Sequence, residues 1–184
     1  MANSGLKIAF GNKSRVGKDT AADYIIHRYG GIRLRFSKGV YDIGTDIQKI
    51  LNKPIEKDPK LLQWIGLGLR EVYGENIWVD MVKKQIDNIT HNVSPKEAPN
   101  MVITDLRFLN EFKMLKENGF TTIKICRKDR IIDRDPNHPT ETALDNTDFD
   151  YTVYNDGSID ELYIKINAIL EDIITRRDGA SRSK

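Results

Sequence analysis

A short apolar run, a glycine-lysine loop and a helix-periodic stretch follow one another near the start of the chain, and together they restrict its fold more than any other feature. Residues 6–26 read LKIAFGNKSRVGKDTAADYII. Leu6 to Phe10 is short, apolar and ended by glycine, as a buried strand is. Thr20 to Tyr29 carries Ala21, Tyr24, Ile25 and, weakly, Arg28 at helical spacing, and Gly30-Gly31 stops it. A phosphate loop, G-x-x-x-x-G-K-[ST], has meaning only between a strand and a helix, which is the context here. Successive backbone N–H groups and a helix N-terminus make a positive concavity for phosphate oxygens. This loop departs from the pattern twice. Asn12 stands at the first glycine position, with Gly11 one residue early, so the loop reads as one residue longer than usual. Asp19 stands where Ser or Thr is usual. The competing reading is a polar turn that caps a helix, since Asp19 and Thr20 both suit a first turn.

The rest of the chain alternates strand-like and helix-like segments. Ile32–Phe36, Met101–Thr104, Thr121–Cys126 and Tyr151–Tyr154 read as further strands. Val40–Leu51, Leu61–Tyr73, Ile77–Ile89, Asn110–Asn118 and Ile159–Arg176 read as helices. Val40, Ile43, Ile47, Ile50 and Leu51 are expected on one buried side, as are Ile159, Leu162, Ile166, Ile169, Leu170 and Ile173 in the last helix. The expected fold is α/β: a P-loop NTPase with a five-stranded parallel sheet and helices on both faces. Ligands in such sheets sit beyond the strand C-terminal ends. The Gly11–Lys18 loop, Asp105–Arg107, the basic stretch from Arg127 and Asn155–Gly157 all fall there.

With 184 residues, one domain is expected. The 29 basic and 27 acidic residues nearly balance, which argues against a general nucleic-acid binder. The single cysteine, Cys126, cannot form an internal disulfide and suits a reducing compartment. No apolar run is long enough to span a bilayer and no signal-peptide pattern opens the chain. A cytoplasmic protein is expected, with a frayed tail from about residue 178 to 184.

Lys18 can reach the terminal phosphates of a nucleoside triphosphate, and Asp19 and Thr20 can reach a magnesium ion. Asp105 follows an apolar strand, where a magnesium-organising or base carboxylate belongs in P-loop enzymes. Arg107 can clamp a phosphate with its planar fork. The stretch RKDRIIDRD gathers Arg127, Lys128, Arg130 and Arg134, cations suited to a lid over a transferring phosphoryl group. The blander readings are a helix-capping Asp105, a solvated Arg107 and a solvated charged segment. His138 and Glu141 in HPTET lack the partners of a zinc site and read as a loop anchor or hydrogen-bonding pair. Trp64 and Trp78 read as core residues, and Arg70 as a second phosphate or substrate contact.

Five stretches, GKDTAADYI, LLQWIGLGLREVYGENIWVDMV, VITDLRFLNEFKMLKENGFTTIKICR, HPTETALDN and DYTVYNDGSIDELYIKI, cover most of the chain. In that order they resemble the deoxynucleoside monophosphate kinases of bacteriophages. The resemblance implies an adenylate kinase-like fold with small acceptor-binding (about 37–90) and lid (about 127–148) segments. It implies transfer of the γ-phosphoryl of ATP, as the magnesium complex, to a nucleotide 5′-phosphate. Asp after Gly-Lys is that family's usual spelling. Gly11, Asn12, Ser14, Arg15, Val16, Gly17 and Lys18 would cradle the ATP phosphates. Asp19 and Thr20, with Asp105, would hold magnesium. Asp105 and Arg107 would lie between donor and acceptor phosphates, with Arg127 and Arg130 supplied by the lid. Asn155, Asp156 and Gly157 would pass the adenine ring. Arg35, Ser37 and Lys38 would grip the acceptor, with Arg70, Trp78 and Glu141 on the substrate side.

The chain is also similar to the phosphomevalonate kinase of animals, through G-K-D and the LDNTDFDYTVYNDG segment. NIWVDMV and the N-D-G-S loop favour the nucleotide enzyme. A non-enzymatic nucleotide-binding module is the third reading. The expected partners are a small-molecule nucleotide and, through the two middle helices, a second copy of the chain. Neither nucleic acid nor membrane is expected.

Overall fold

The computed structural model describes residues 5–91, 93–94, 97–131 and 135–182. Five strands are β1 (Lys7–Gly11), β2 (Ile32–Leu34), β3 (Met101–Leu106), β4 (Thr121–Cys126) and β5 (Tyr151–Tyr154). They form one sheet in the order β2-β3-β1-β4-β5, with every neighbouring pair parallel. β1 is central and covered on both faces, which is why it reads as a continuous apolar run rather than an alternating one. Its Ile8 and Phe10 point into one core and its Ala9 into the other.

On the first face lie α1 (Lys18–Tyr29) and α7 (Ile159–Arg182), which bury Ala21, Ile25, Leu162, Ile166 and Leu170 against the sheet. On the second lie α4 (Ile77–Thr90) and α5 (Leu109–Glu117), through Val79, Val82, Ile86, Met114 and Leu115. Two further helices, α2 (Lys38–Ile50) and α3 (Pro59–Tyr73), form a flank, and a single turn, α6 (Pro139–Thr142), lies before β5. The helix ends follow local chemistry. Asp58 accepts from the N–H groups of Lys60 and Leu61 at 2.9 and 3.1 Å, with Pro59 opening α3. Gly30 closes α1 by donating to the Ile26 carbonyl.

Several expectations need correction. β2 stops at Leu34 rather than Phe36, because the N–H groups of Phe36 and Ser37 are bonded to the Asp105 carboxylate instead of a strand. α2 does not bury Ile50 or Leu51, which are exposed. It packs through Gly39 and Gly44: a Cβ on Gly39 would lie 2.8 Å from the Trp78 ring, and one on Gly44 3.1 Å from Leu62. Trp64 is not core but 69% exposed, since α3 buries only Ile65 completely and Trp64 faces away. Ile159, the first residue of α7, is exposed. α7 continues to Arg182 instead of ending at Arg176, so most of the expected frayed tail is helical. Arg134 lies outside the described residues.

Candidate active site

The phosphate loop starts where the β1 register slips. Ala9 pairs with Ile103 and Gly11 with Leu106, so β3 gains a residue just as β1 ends. Gly11 is required for packing: a Cβ there would lie 2.6 Å from the Phe149 ring. The glycine-like backbone belongs to Asn12, at φ 101°. Asparagine visits positive φ more readily than most residues. Its side-chain Nδ2 donates to the Ile125 carbonyl of β4 at 2.8 Å, which fixes the turn. Counted from Asn12, four residues precede Gly17, so the loop has the ordinary length and the expectation of an extra residue is overturned. Gly17, also at positive φ, caps α1.

Lys18 is buried, and its ammonium donates to the carbonyls of Asn12 (3.1 Å) and Lys13. Asn155 is buried and donates to the Val16 carbonyl at 2.9 Å, clamping the loop from beneath. Its amide is thus committed to the loop, a use that the expected adenine contact did not foresee. Asp156 and Gly157 are exposed, and Asp156 accepts from the Lys128 N–H at 2.8 Å. Arg15 and Ser14 lie on the loop, the first exposed and the second buried.

Asp19 accepts from the Thr104 hydroxyl at 2.9 Å and faces the guanidinium groups of Arg33 (3.7 Å) and Arg35 (3.4 Å). Thr20 follows, half-buried. Asp105, near the end of β3, meets the turn that precedes α2. One oxygen accepts from Phe36 N–H (3.1 Å), and the other from the Ser37 N–H (2.9 Å) and hydroxyl (2.7 Å). Both are engaged in holding the turn into α2. Lys38 pairs with Asp42 at 2.6 Å on the surface of α2. Among the described residues no group of three or more His, Cys, Asp or Glu gathers as a metal site.

The densest polar cluster centres on Glu141, whose side chain is fully buried. Its oxygens accept from Arg107 (3.1 Å), Arg130 (3.2 Å) and the Ser14 N–H of the phosphate loop (3.1 Å). Arg107 comes from the end of β3 and Arg130 from the segment after β4, so one carboxylate ties three chain segments. Arg127 is exposed at the end of β4. Arg70 stacks over Phe108 at 4.4 Å and approaches Glu111 (3.6 Å) and Glu75 (3.9 Å). Glu111 was not anticipated. It accepts from the N–H groups of Arg107 (2.8 Å) and Phe108 (3.1 Å), capping α5. Burial raises its carboxyl to about 8, against those two bonds and Arg70, which favour the charge. The Glu three residues after Phe108 was its only sequence signal. Trp78 is buried, and its indole N–H donates to the Gly66 carbonyl at 3.0 Å, so it braces α3 against α4.

The loop, the paired arginines and the acidic residues at the strand ends are the parts of a phosphotransferase. The model of the family described as deoxynucleotide monophosphate kinase matches residues 58–166, more than half of the chain. The chain belongs to the deoxynucleotide monophosphate kinase family. It is 34% identical over 174 residues to protein ORF77 of Ictalurid herpesvirus 1 (strain Auburn), covering 90% of this chain and 71% of that protein. A protein of Acanthamoeba polyphaga mimivirus, provisionally named a deoxynucleotide monophosphate kinase, is 27% identical, covering 85% and 91%. The deoxynucleotide monophosphate kinase of Escherichia phage RB69 is 36% identical over 69 residues, covering 38% and 28%. The crystal structure of a sugar kinase from Janibacter sp. HTCC2649 superimposes with a TM-score of 0.54 at 10% identity, over 91% of this chain and 95% of that one, a likeness of fold. This family member is a nucleotide-binding phosphotransferase enzyme with viral and phage relatives. Among the described residues no helix is long and apolar enough to cross a membrane.

Proposed function

We propose that this kinase transfers the γ-phosphoryl of ATP to the 5′-phosphate of a deoxynucleoside monophosphate, giving the diphosphate and ADP. The observation that carries the reading is the convergence on Glu141 of a loop N–H, Arg107 and Arg130. In the transfer an oxygen of the acceptor phosphate bonds to the γ-phosphorus while the bond to the β–γ bridging oxygen breaks, leaving the electron pair on ADP. Catalysis is then positioning and charge stabilisation, without a covalent enzyme intermediate.

In this reading the loop from Asn12 to Lys18 cradles the ATP phosphates, and Lys18 leaves its carbonyl partners for the terminal phosphates. Arg107 and Arg130 take the charge that spreads over the phosphoryl oxygens. Arg35 and Arg70 meet the acceptor phosphate within a segment of about residues 37–90 and its entry. Residues about 127–148 form the lid. Asp19 and Thr20 supply the hard oxygen donors that magnesium prefers, and the few protein ligands suit an ion that keeps waters and binds phosphates. When bound, magnesium would draw charge from the β- and γ-oxygens. Asp105, with both oxygens engaged, acts on the acceptor side by holding Phe36 and Ser37 in place.

The test is incubation with magnesium-ATP and a panel of deoxynucleoside monophosphates, their ribo counterparts and phosphomevalonate, with products identified by mass. Diphosphate from one or more deoxynucleotides is expected. Turnover on phosphomevalonate alone, or on no acceptor while ATP still binds, would sink the reading.

A further inference from the structure

The set of donors around Glu141 is one that a terminal phosphoryl group would need. Oε2 accepts from the Ser14 N–H (3.1 Å), the Ser14 hydroxyl (3.4 Å) and Arg130 (3.2 Å), while Oε1 accepts from Arg107 (3.1 Å). A loop N–H, a guanidinium from a strand end and a second from the lid are general phosphate ligands. A buried carboxylate offers them what a phosphate does, negative charge and a pair of acceptor oxygens, although the carboxylate is planar and the phosphoryl group tetrahedral. It is mounted on α6, a single turn whose cap is its own His138, bonded to the Thr140 N–H and hydroxyl. Two anions cannot share these donors without strong repulsion in so buried a place.

We propose that Glu141 is an internal competitor for the terminal phosphate of the nucleotide. Its carboxylate and the γ-phosphoryl group exclude one another from Ser14, and binding of the triphosphate moves Glu141 off the loop. Arg107 and Arg130 thereby pass from a protein anion to a substrate anion. The arginines are kept paired at all times, at the cost of apparent nucleotide affinity, since only the fraction of molecules with Glu141 displaced can bind. The inference rests on the assignment of the Asn12–Lys18 loop to the donor nucleotide.

Titration calorimetry with magnesium-ATP and with inorganic tripolyphosphate tests it, comparing the wild-type protein with Glu141→Gln. Glutamine keeps the size and one acceptor oxygen and removes the charge. The expected result is roughly tenfold tighter binding of both ligands by the variant. Equal or weaker binding overturns the proposal and leaves Glu141 a mere anchor of the arginines. Hydrogen exchange on the wild-type chain gives a second reading, independent of the variant's folding. Amides of residues 138–144 should exchange faster when tripolyphosphate is added, and unchanged or slower exchange overturns the proposal. A deoxynucleotide panel run in parallel separates the two assignments. Turnover without the affinity gain removes the competitor and keeps the kinase reading. The affinity gain without turnover keeps the competitor and removes the acceptor.

Discussion

The phosphate-loop side of this molecule and its α2–α3 flank are built to different standards of packing. Around the phosphate loop, Phe10, Ala21, Ile25, Ile166 and Leu170 are all wholly buried, and Asn12 and Asn155 pin the loop to β4 and to the end of β5. On the flank, α2 buries only Gly39, Gly44 and Gln48, and α3 only Ile65. Trp64, Leu67, Val72 and Tyr73 of α3 are exposed. Few buried apolar contacts place a region at the low end of local stability. The difference teaches that the loop rests on a packed core, whereas α2 and α3 are held by few buried apolar side chains.

Lys18→Ala should have the largest effect of all. Loss of one preorganised cation at the reacting phosphates should cut turnover by about a hundredfold to a thousandfold, while thermal unfolding changes little. Turnover within a few-fold of the wild type would mean that the preformed cradle is not the seat of catalysis. In the donor-side core, Leu170→Ala should cost about 2–5 kcal/mol in chemical denaturation, because it leaves a cavity between α7 and the sheet. A loss below 1 kcal/mol would show that this side is no better packed than the other.

Glu111 sharpens the comparison through pH. Its carboxyl binds a proton more tightly in the folded chain, with a value of about 8 against an ordinary 4.5. Its contribution to stability is therefore full below about 4.5 and is lost as pH rises through about 8. Stability should fall across that window with a slope of at most about 1.4 kcal/mol per pH unit. Glu111→Gln, which keeps an acceptor for Arg107 and Phe108, should flatten the slope in denaturation curves taken from pH 5 to 8. An unchanged slope would assign the dependence to another group.

Asp105→Asn is expected to raise KM for the acceptor about fivefold, near 1 kcal/mol, with a smaller change for ATP, because it loosens Phe36 and Ser37 rather than the loop. An equal effect on both substrates would place Asp105 at the transferring group. Trp64→Ala should change stability least, by no more than about 0.5 kcal/mol. A cost of several kcal/mol would end the contrast between the two sides.

The sheet was legible because each strand announces itself locally. Thr121–Cys126 and Tyr151–Tyr154 fall where apolar runs meet turn residues, and the observed strands have those bounds. The phosphate loop was legible from its strand and helix, and Asn12 was recognised at the glycine position. Its length was misjudged because Gly11 looked like a phosphate-loop glycine, whereas its smallness serves Phe149. The flank helices α2 and α3 are less legible. Periodicity marks the apolar side of a helix, but in α2 close approach through glycine does the packing, so Ile50 and Leu51 were misplaced. Roles that depend on distant partners were the hardest to see. Thr104 meets Asp19 across 85 positions of sequence, and no spacing rule links them. Glu141 was noticed as an anchor, but its three partners are brought together only by the sheet order.

That sheet order also governs how the chain is made. The central strand β1 leaves the ribosome before the other strands of its sheet, and its two neighbours begin only at Met101 and Thr121. A parallel pair cannot close by a hairpin and must wait for its crossover. More than half of the chain is therefore synthesised before β1 can pair on either side, with Ile8 and Phe10 uncovered in the meantime. Distant pairings of this kind slow folding and lengthen exposure of apolar strands. The Asn155 amide, which clamps the phosphate loop through the Val16 carbonyl, arrives later still, after β5.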